Sequence, residues 1–235
     1  MKTIIRISAF LLVAFLAVGL AAGCGKKPAD KSISTEQKAD DNKGEIDYLV
    51  LVNKTHKLPD DWEDKVTLKE AENRYGEKYL VEEKTLEHFL DLQKELADEG
   101  IIIELDSTYR SVAEQQKLWD DWTVEYGEDY VRKYVAVPGF SEHHTGLAID
   151  ICIEKDGKRI NDNDEMIAEE EIFAEIHKHL ADHGFILRYI KNGVSITGYD
   201  YEPWHFRYVG VDAAKEIAEK KITFEEYVGH LNAGK

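Results

Sequence analysis

The stretch SEHHTGLAIDI, residues 141–151, decides the fold and contains the first candidate site residues. It follows residues 135–140, where a proline and a glycine predict a loop, and its second half alternates like a β-strand. His143 and Asp150 are seven residues apart, and an odd separation would place them on opposite faces of one regular strand. We therefore expect His143 to lie before the strand, with Gly146 turning the chain so that both side chains meet.

A second polar motif, YEPWH, spans residues 201–205. A tight turn at Pro203 could aim Glu202 and His205 towards one point. Zinc takes nitrogen and oxygen ligands, and a catalytic zinc has three protein ligands and an open position for water. His143, Asp150 and His205 would supply three ligands and leave Glu202 as a general base. On spacing alone, a hydrogen-bonded polar cluster without metal is an equal alternative.

The pattern around these motifs mixes helices and strands. Apolar runs predict strands at residues 48–52, 101–105 and 185–190. Helical spacing and stop signals predict helices at residues 84–97 and 169–182, and one or two within 211–231, where Thr223 is a plausible cap. A further helix is predicted from Ser111 onward, because Ser111 and Glu114 form the pattern of a capping box. Strands and helices do not alternate regularly, so the predicted class is α+β. The length suits one domain.

The N-terminal segment has the order of a signal peptide: a basic start, an apolar run at residues 7–22, and small residues before Cys24. The run is short for a bilayer span. The segment resembles a bacterial lipoprotein signal, although Ala21 stands where such signals usually carry leucine. It predicts a signal peptide at residues 1–23, a lipidated Cys24 and a polar tether over 24–45. An ordinary secreted protein, or a disulfide to Cys152, remains an alternative.

Five ordered motifs resemble those of the VanY-type D-alanyl-D-alanine carboxypeptidases. Residues 141–150 fit Ser-x-His-x-x-Gly-x-Ala-x-Asp, residues 202–205 fit Glu-x-x-His, and segments 49–59, 109–111 and 204–210 agree in the same order. The resemblance covers about residues 49–210. It implies that residues 46–235 form a single α+β zinc-peptidase domain, with a small antiparallel sheet lining the metal cleft and helices around it. It further implies one Zn²⁺ held by His143, Asp150 and His205, with Glu202 as the base.

A carboxypeptidase must also recognise a free terminal carboxylate, which an arginine can grip with two parallel hydrogen bonds. Arg110 and Arg207 are candidates. The resemblance favours Arg110 as the catalytic-site arginine, with Gln115 and Ser141 as further substrate-binding residues, whereas a structural ion pair is an equal interpretation of Arg207. His144 falls at a variable motif position and is not expected to be a ligand. The six other histidines are expected on the surface or on helix faces: His56, His88, His177, His179, His183 and His230.

The predicted function is hydrolysis of the C-terminal D-alanine from peptidoglycan stem peptides or a lipid-linked precursor. The enzyme would be a lipid-anchored monomer on the outer face of the bacterial cell membrane. The net charge of −17 argues against a nucleic-acid partner. Two alternatives remain: an L,D-carboxypeptidase that acts on tetrapeptide stems, which the motifs do not separate from the first reading, and a non-catalytic cell-wall binding lipoprotein. The latter would be expected to lack the base or a ligand, and all four residues are present.

Overall fold

The computed structural model describes residues 45–233 of the chain. The predicted signal peptide, the lipidated Cys24 and almost all of the tether therefore lie outside the described residues. Between residues 45 and 233, no helix has both the length and the apolar composition that crossing a bilayer requires.

The described chain folds into α-helices and short strands in mixed order. The helices are α1 (Trp62–Lys65), α2 (Glu83–Asp98), α3 (Val112–Tyr126), α4 (Glu128–Tyr134), α5 (Asn163–Ala168), α6 (Glu170–His179), α7 (Val194–Thr197), α8 (Val211–Lys220) and α9 (Phe224–Ala233). Two 3₁₀ helices cover Glu142–Thr145 and Leu180–His183. The strands are β1 (Leu68–Glu72), β2 (Lys78–Glu82), β3 (Ile102–Ser107), β4 (Ala148–Lys155), β5 (Lys158–Ile160), β6 (Phe185–Tyr189) and β7 (Glu202–Tyr208). The predicted α+β class is confirmed.

The main sheet is antiparallel and has the order β3-β4-β7-β6, with β5 paired to the outer part of β4. Along β4, the side chains of Ile149, Ile151 and Ile153 enter the main core together with residues of α2 and α6. Because side chains alternate along a strand, Asp150 points to the opposite face. The sheet thus separates a helix-covered core from a polar cleft.

Several local predictions are confirmed. Helix α2 spans one residue more at each end than predicted, and α3 begins with the expected capping box between Ser111 and Glu114. The predicted C-terminal helices are two, and Thr223 caps α9 through reciprocal hydrogen bonds with Glu226. Each of these signals depends only on residues a few positions apart, so it can be recognised in the sequence before the fold is known.

The predicted strand at residues 48–52 is wrong. The segment is a turn followed by irregular chain. Its side chains pack into separate apolar clusters, and the main-chain carbonyls of Tyr48 and Val50 accept hydrogen bonds from Arg207. The structure also contains a hairpin that was not predicted, β1–β2, whose strands are rich in charged residues.

Candidate active site

Three of the predicted site residues converge on the polar face of the sheet. Asp150 on β4 and His205 on β7 are directly opposite in the strand register, so their side chains are neighbours on one face. His143 lies before β4, in the 3₁₀ helix at residues 142–145, as expected. Gly146 ends that helix with a φ of +73°, and a Cβ there would lie 2.8 Å from a side-chain carbon of Leu68. The turn therefore requires glycine.

The hydrogen bonds of the two histidines leave one nitrogen of each facing Asp150. Nδ1 of His143 lies 2.7 Å from the main-chain oxygen of Thr108, which can only accept, so Nδ1 carries the proton. Nε2 of His143 then faces Oδ2 of Asp150 at 3.2 Å. Nδ1 of His205 lies 2.7 Å from Oδ1 of the same carboxylate. The hydrogen bond to Thr108 thus assigns the tautomer of His143, and each ring presents one nitrogen towards Asp150.

The donor set fits a divalent metal ion. One nitrogen or oxygen atom each from His143, Asp150 and His205 lies within 4.8 Å of the others. Oδ1 of Asp150 is buried without a hydrogen-bond partner, despite its short separation from His205. Burial alone would lower the pKa of His205, but the carboxylate of Asp150 outweighs burial and raises that pKa to about 10. The pocket thus concentrates negative charge where a cation would sit, and two imidazoles with one carboxylate are ligands suited to zinc.

Glu202 lies beside this group at the start of β7. Leu187 on β6 pairs with Phe206 on β7, and Tyr189 on β6 pairs with Glu202 on β7. Between these two pairs β7 has two residues more than β6, so β7 bulges there. The bulge brings Glu202 and His205 to the same face despite their odd separation, with Oε2 of Glu202 3.9 Å from Nδ1 of His205. Burial raises the pKa of Glu202 to about 7. A carboxylate with such a pKa can both accept and return a proton near neutral pH.

Arg110 lines the same cleft and is held from two sides. Its guanidinium donates to Oε1 of Gln115 at 2.8 Å and to Oγ of Ser107 at 2.9 Å. Gln115 in turn donates to the main chain of Ala136. Gln115 therefore positions Arg110, and three of the five guanidinium N–H groups are left to face a ligand. Ser141 lines the cleft too, with its hydroxyl accepting from the main chain of His143.

Arg207 is not among the residues that line the cleft and belongs to a buried ion network that was not predicted from the sequence. Glu142, Arg188 and Arg207 have no exposed side-chain surface. Glu142 accepts from Arg188 at 2.8 Å and from Arg207 at 2.9 Å, and its second oxygen lies 3.4 Å from Nε2 of His205. Burial alone would raise the pKa of Glu142, but the two guanidinium groups outweigh burial and hold that pKa well below its usual range. The structural interpretation of Arg207 is the one its contacts favour.

A carboxylate bonded to the remote nitrogen of a metal-binding histidine fixes that ring and its tautomer. Glu142 stands in this relation to His205. The sequence did contain a signal for it, because the arginines at positions 188 and 207 each stand between two large apolar or aromatic residues, and a buried arginine requires a buried anion.

His144 takes no part in the group that could hold a metal. Its Nε2 accepts from the main-chain N–H of Gly139 at 3.0 Å, and its Nδ1 lies 2.6 Å from the main-chain oxygen of Arg110. Both ring nitrogens are therefore engaged with the backbone, in line with its variable position in the motif.

The cleft has a volume of about 300 Å³ and combines the polar group with aromatic walls. Tyr189 packs its ring 4.8 Å from that of His205 and 4.7 Å from that of Tyr199. Leu118 and Trp122 of α3 line the other side. Such a cleft suits a short peptide whose terminal carboxylate reaches Arg110.

Comparison with known proteins agrees with this geometry. The family model described as VanY, D-alanyl-D-alanine carboxypeptidase, matches residues 78–211. A Bacillus subtilis (strain 168) protein named YodJ is 37% identical over 186 residues, which cover 76% of this chain and 66% of that protein. A D-alanyl-D-alanine carboxypeptidase of Enterococcus faecalis is 30% identical over 219 residues, which cover 89% of this chain and 75% of the relative.

Solved structures have the same fold. The LdcB LD-carboxypeptidase superposes with a TM-score of 0.66 at 33% identity, covering 82% of this chain and 92% of that one. A variant of the vancomycin resistance D,D-pentapeptidase VanY, in complex with Zn(II), gives a TM-score of 0.62 at 29% identity, covering 77% of this chain and 98% of that one. Motifs, fold and matched length together place this chain in the VanY family of D-alanyl-D-alanine carboxypeptidases.

Proposed function

We propose that this protein is a zinc-dependent D,D-carboxypeptidase that removes the C-terminal D-alanine of peptidoglycan stem peptides. The observation that carries the proposal is the meeting of His143, Asp150 and His205 beside Glu202, in a cleft that also contains Arg110. The family model and relatives named as D-alanyl-D-alanine carboxypeptidases support it. The proposed site needs no residue from a second copy of the chain; that the protein is a monomer stays a proposal.

His143, Asp150 and His205 would hold the metal. The related VanY structure in complex with Zn(II) supports zinc as the ion. Bound to these residues, zinc supplies a Lewis acid that polarises the scissile carbonyl and makes water more acidic. The protein contributes the orientation of each ligand: Thr108 fixes the ring of His143, and Glu142 fixes that of His205.

Glu202 acts as general base and then as general acid. Its carboxylate takes a proton from the attacking water while the water oxygen forms a bond to the carbonyl carbon of the scissile amide. When the C–N bond breaks, the protonated Glu202 returns that proton to the leaving amine of D-alanine. Burial raises the pKa of Glu202 to about 7 in the metal-free protein, so this carboxylate is able to exchange a proton near neutral pH.

Arg110 selects substrates with a free C-terminus. Its guanidinium is fixed by Gln115 and Ser107, so the groups that remain can form paired hydrogen bonds with a carboxylate at little entropic cost. An amidated peptide would leave this partly buried cation unpaired, which favours carboxypeptidase over endopeptidase cleavage.

A second candidate is L,D-carboxypeptidase activity on tetrapeptide stems. It is supported by the similarity to LdcB, described as an LD-carboxypeptidase, at the TM-score given above. The non-catalytic alternative gains no support, because the base and all three candidate ligands are present and the compared proteins are described as enzymes.

Released D-alanine distinguishes these functions. The zinc-loaded protein is incubated with synthetic pentapeptide and tetrapeptide stems, beside their C-terminally amidated forms, and the products are identified by mass spectrometry. We expect D-alanine from the pentapeptide, no D-alaninamide from the amidated stems, and no product with a Glu202→Gln variant that still binds zinc. Release from the tetrapeptide alone would move the assignment to L,D-cleavage. Failure with both free stems by a zinc-loaded protein would reject the proposed function.

We also propose that residues 1–23 are removed, that Cys24 carries a lipid, and that residues 24–45 tether the domain outside the cell membrane. The support is the sequence order of this segment alone. A polar tether would let the catalytic domain reach into the surrounding cell wall. The expected result is partition of the mature protein into the detergent phase of a membrane extract, and its loss from that phase on Cys24→Ala substitution. Equal partition of both proteins would reject lipidation.

A further inference from the structure

A second group of histidines and carboxylates lies where α2 and α6 end side by side. Glu95 and Glu99 are four residues apart at the end of α2, and His179 and His183 are four apart at the end of α6 and the 3₁₀ helix that follows it. Residues four apart on a helix project from the same face, so each element presents a pair to the other. Nδ1 of His179 lies 2.6 Å from Oε1 of Glu95, and its Nε2 lies 3.4 Å from Glu99.

His183 completes the group from the other side of the same carboxylate. Its Nε2 lies 2.9 Å from Oε2 of Glu95. Both imidazoles are largely buried, with 15% of the His179 side chain and 14% of the His183 side chain exposed, whereas Glu95 and Glu99 are nearly half exposed. The two buried imidazoles are therefore held in place by packing, whereas the more exposed side chains of Glu95 and Glu99 can change conformation.

The electrostatics of this group favour a cation. The C-terminal ends of helices carry partial negative charge, and the last turn of α2 has no basic residue. Among the ion pairs of residues 45–233, Glu95 and Glu99 meet only imidazoles, while neighbouring acids such as Asp182 pair with a lysine. Both carboxylates at the end of α2 are thus left without a permanent positive charge beside them.

We propose that Glu95, Glu99 and His179, with His183 available as a fourth ligand, bind a second divalent transition-metal ion of the zinc class. One ligand atom from each of the first three residues lies within 4.8 Å of the others. For tetrahedral coordination these ligand atoms must move somewhat closer together, and the exposed glutamate side chains are able to make that movement. Imidazole donors favour zinc, nickel or copper over magnesium and calcium.

This site is separate from the catalytic centre. Helices α2 and α6 pack on the core face of the sheet, whereas Asp150 points to the opposite face. An ion here does not reach a substrate in the cleft. It joins two helices that are far apart in sequence, and binding to the folded state alone stabilises that state.

The test is the number of zinc ions bound per chain. The metal-free purified protein is dialysed against buffered micromolar free Zn²⁺, and bound zinc is counted by elemental analysis. Two ions per chain are expected. Glu99→Gln, at an exposed position that is safe for folding, should weaken the second ion by about ten-fold or more and leave D-alanine release unchanged, and His179→Gln should do the same.

The matched control is Glu175→Gln. It makes the same charge change on α6, at a carboxylate paired with Lys178 outside the group, and it should retain both ions. A His205→Gln variant should lose the catalytic ion and keep the second. One ion in the wild-type protein, or two ions retained by both Glu99→Gln and His179→Gln, would overturn the proposal and leave the group as ordinary surface ion pairs.

Discussion

Removal of Glu142 is expected to weaken both the fold and the metal site, although this residue touches neither substrate nor metal. Its carboxylate is fully buried between two fully buried guanidinium groups. Breaking a buried ion pair from one side typically costs about 3–5 kcal/mol. Arg188 would keep Glu225, and Arg207 would keep three main-chain carbonyls. We therefore expect Glu142→Ala to lower the free energy of unfolding by about 3 kcal/mol, the low end of that range.

Glu142→Gln separates the two roles. Glutamine fills the same space and still accepts a hydrogen bond from one side, so the loss of stability should be smaller than for alanine. Its weaker acceptor should nevertheless orient His205 less firmly, and loss of such a partner typically costs about 10–100-fold in metal affinity. Glu225→Gln is the matched control: Glu225 pairs with the same Arg188 but makes no contact with His205.

Urea denaturation of the metal-free protein gives the stability change, and competition with a chromophoric chelator gives the zinc affinity. The expected pattern is a drop in zinc affinity for Glu142→Gln and none for Glu225→Gln. Equal zinc affinities in the two variants would refute the link from Glu142 to His205. A loss of less than about 1 kcal/mol in Glu142→Ala would refute the assignment of Glu142 as a necessary counter-charge.

Three further predictions concern the substrate grip, the turn and the core. Arg110→Lys keeps the charge but loses the paired geometry, so kcat/KM for a pentapeptide stem should fall about 30-fold or more. Competitive inhibition by the amidated stem, which lacks the terminal carboxylate, should weaken less. Equal losses in both measurements would contradict carboxylate recognition. Gly146→Ala should lower the free energy of unfolding, measured in urea, by about 2 kcal/mol or more, because the φ of Gly146 is positive and the new Cβ would meet Leu68. Gly76 also has a positive φ but has open space around it, so Gly76→Ala should cost about 1 kcal/mol. Equal losses of stability would show that the contact with Leu68 is unimportant. Cys152 is buried, and burial raises the pKa of its thiol to about 11. Because only the thiolate reacts, Cys152 should resist alkylation in the native protein at pH 8 and react once the protein is unfolded, as followed by peptide mapping with mass spectrometry. Rapid labelling of Cys152 in the native protein would contradict this.

The candidate site could be predicted from the sequence to the extent that its signals are local or carried by ordered motifs. The turn at Gly146 and the cap at Ser111 depend on neighbouring residues, and both are found where expected. The geometry that unites the site is not local. Asp150 faces His205 only because β4 pairs with β7 across more than 50 residues of chain, and no spacing rule gives that register.

The failures have the same origin. Residues 48–52 have the composition of a strand, but their carbonyls bond to Arg207, which comes from the far end of the domain. A distant partner thus overrides local propensity. Glu142 occupied a variable position in the motif, and its importance depends on two arginines that the fold brings to it.

The hydrogen bonds from Arg207 to the main-chain oxygens of Tyr48 and Val50 have a consequence for how the domain responds to a pulling force. The same guanidinium bonds to Glu142, which contacts His205, so one connected set of hydrogen bonds links the turn at residues 48–49 to β7. A force that pulled the chain at residue 48 away from the domain would load these hydrogen bonds. Loosening these bonds would therefore be expected to disturb both the attachment of this turn and the orientation of His205.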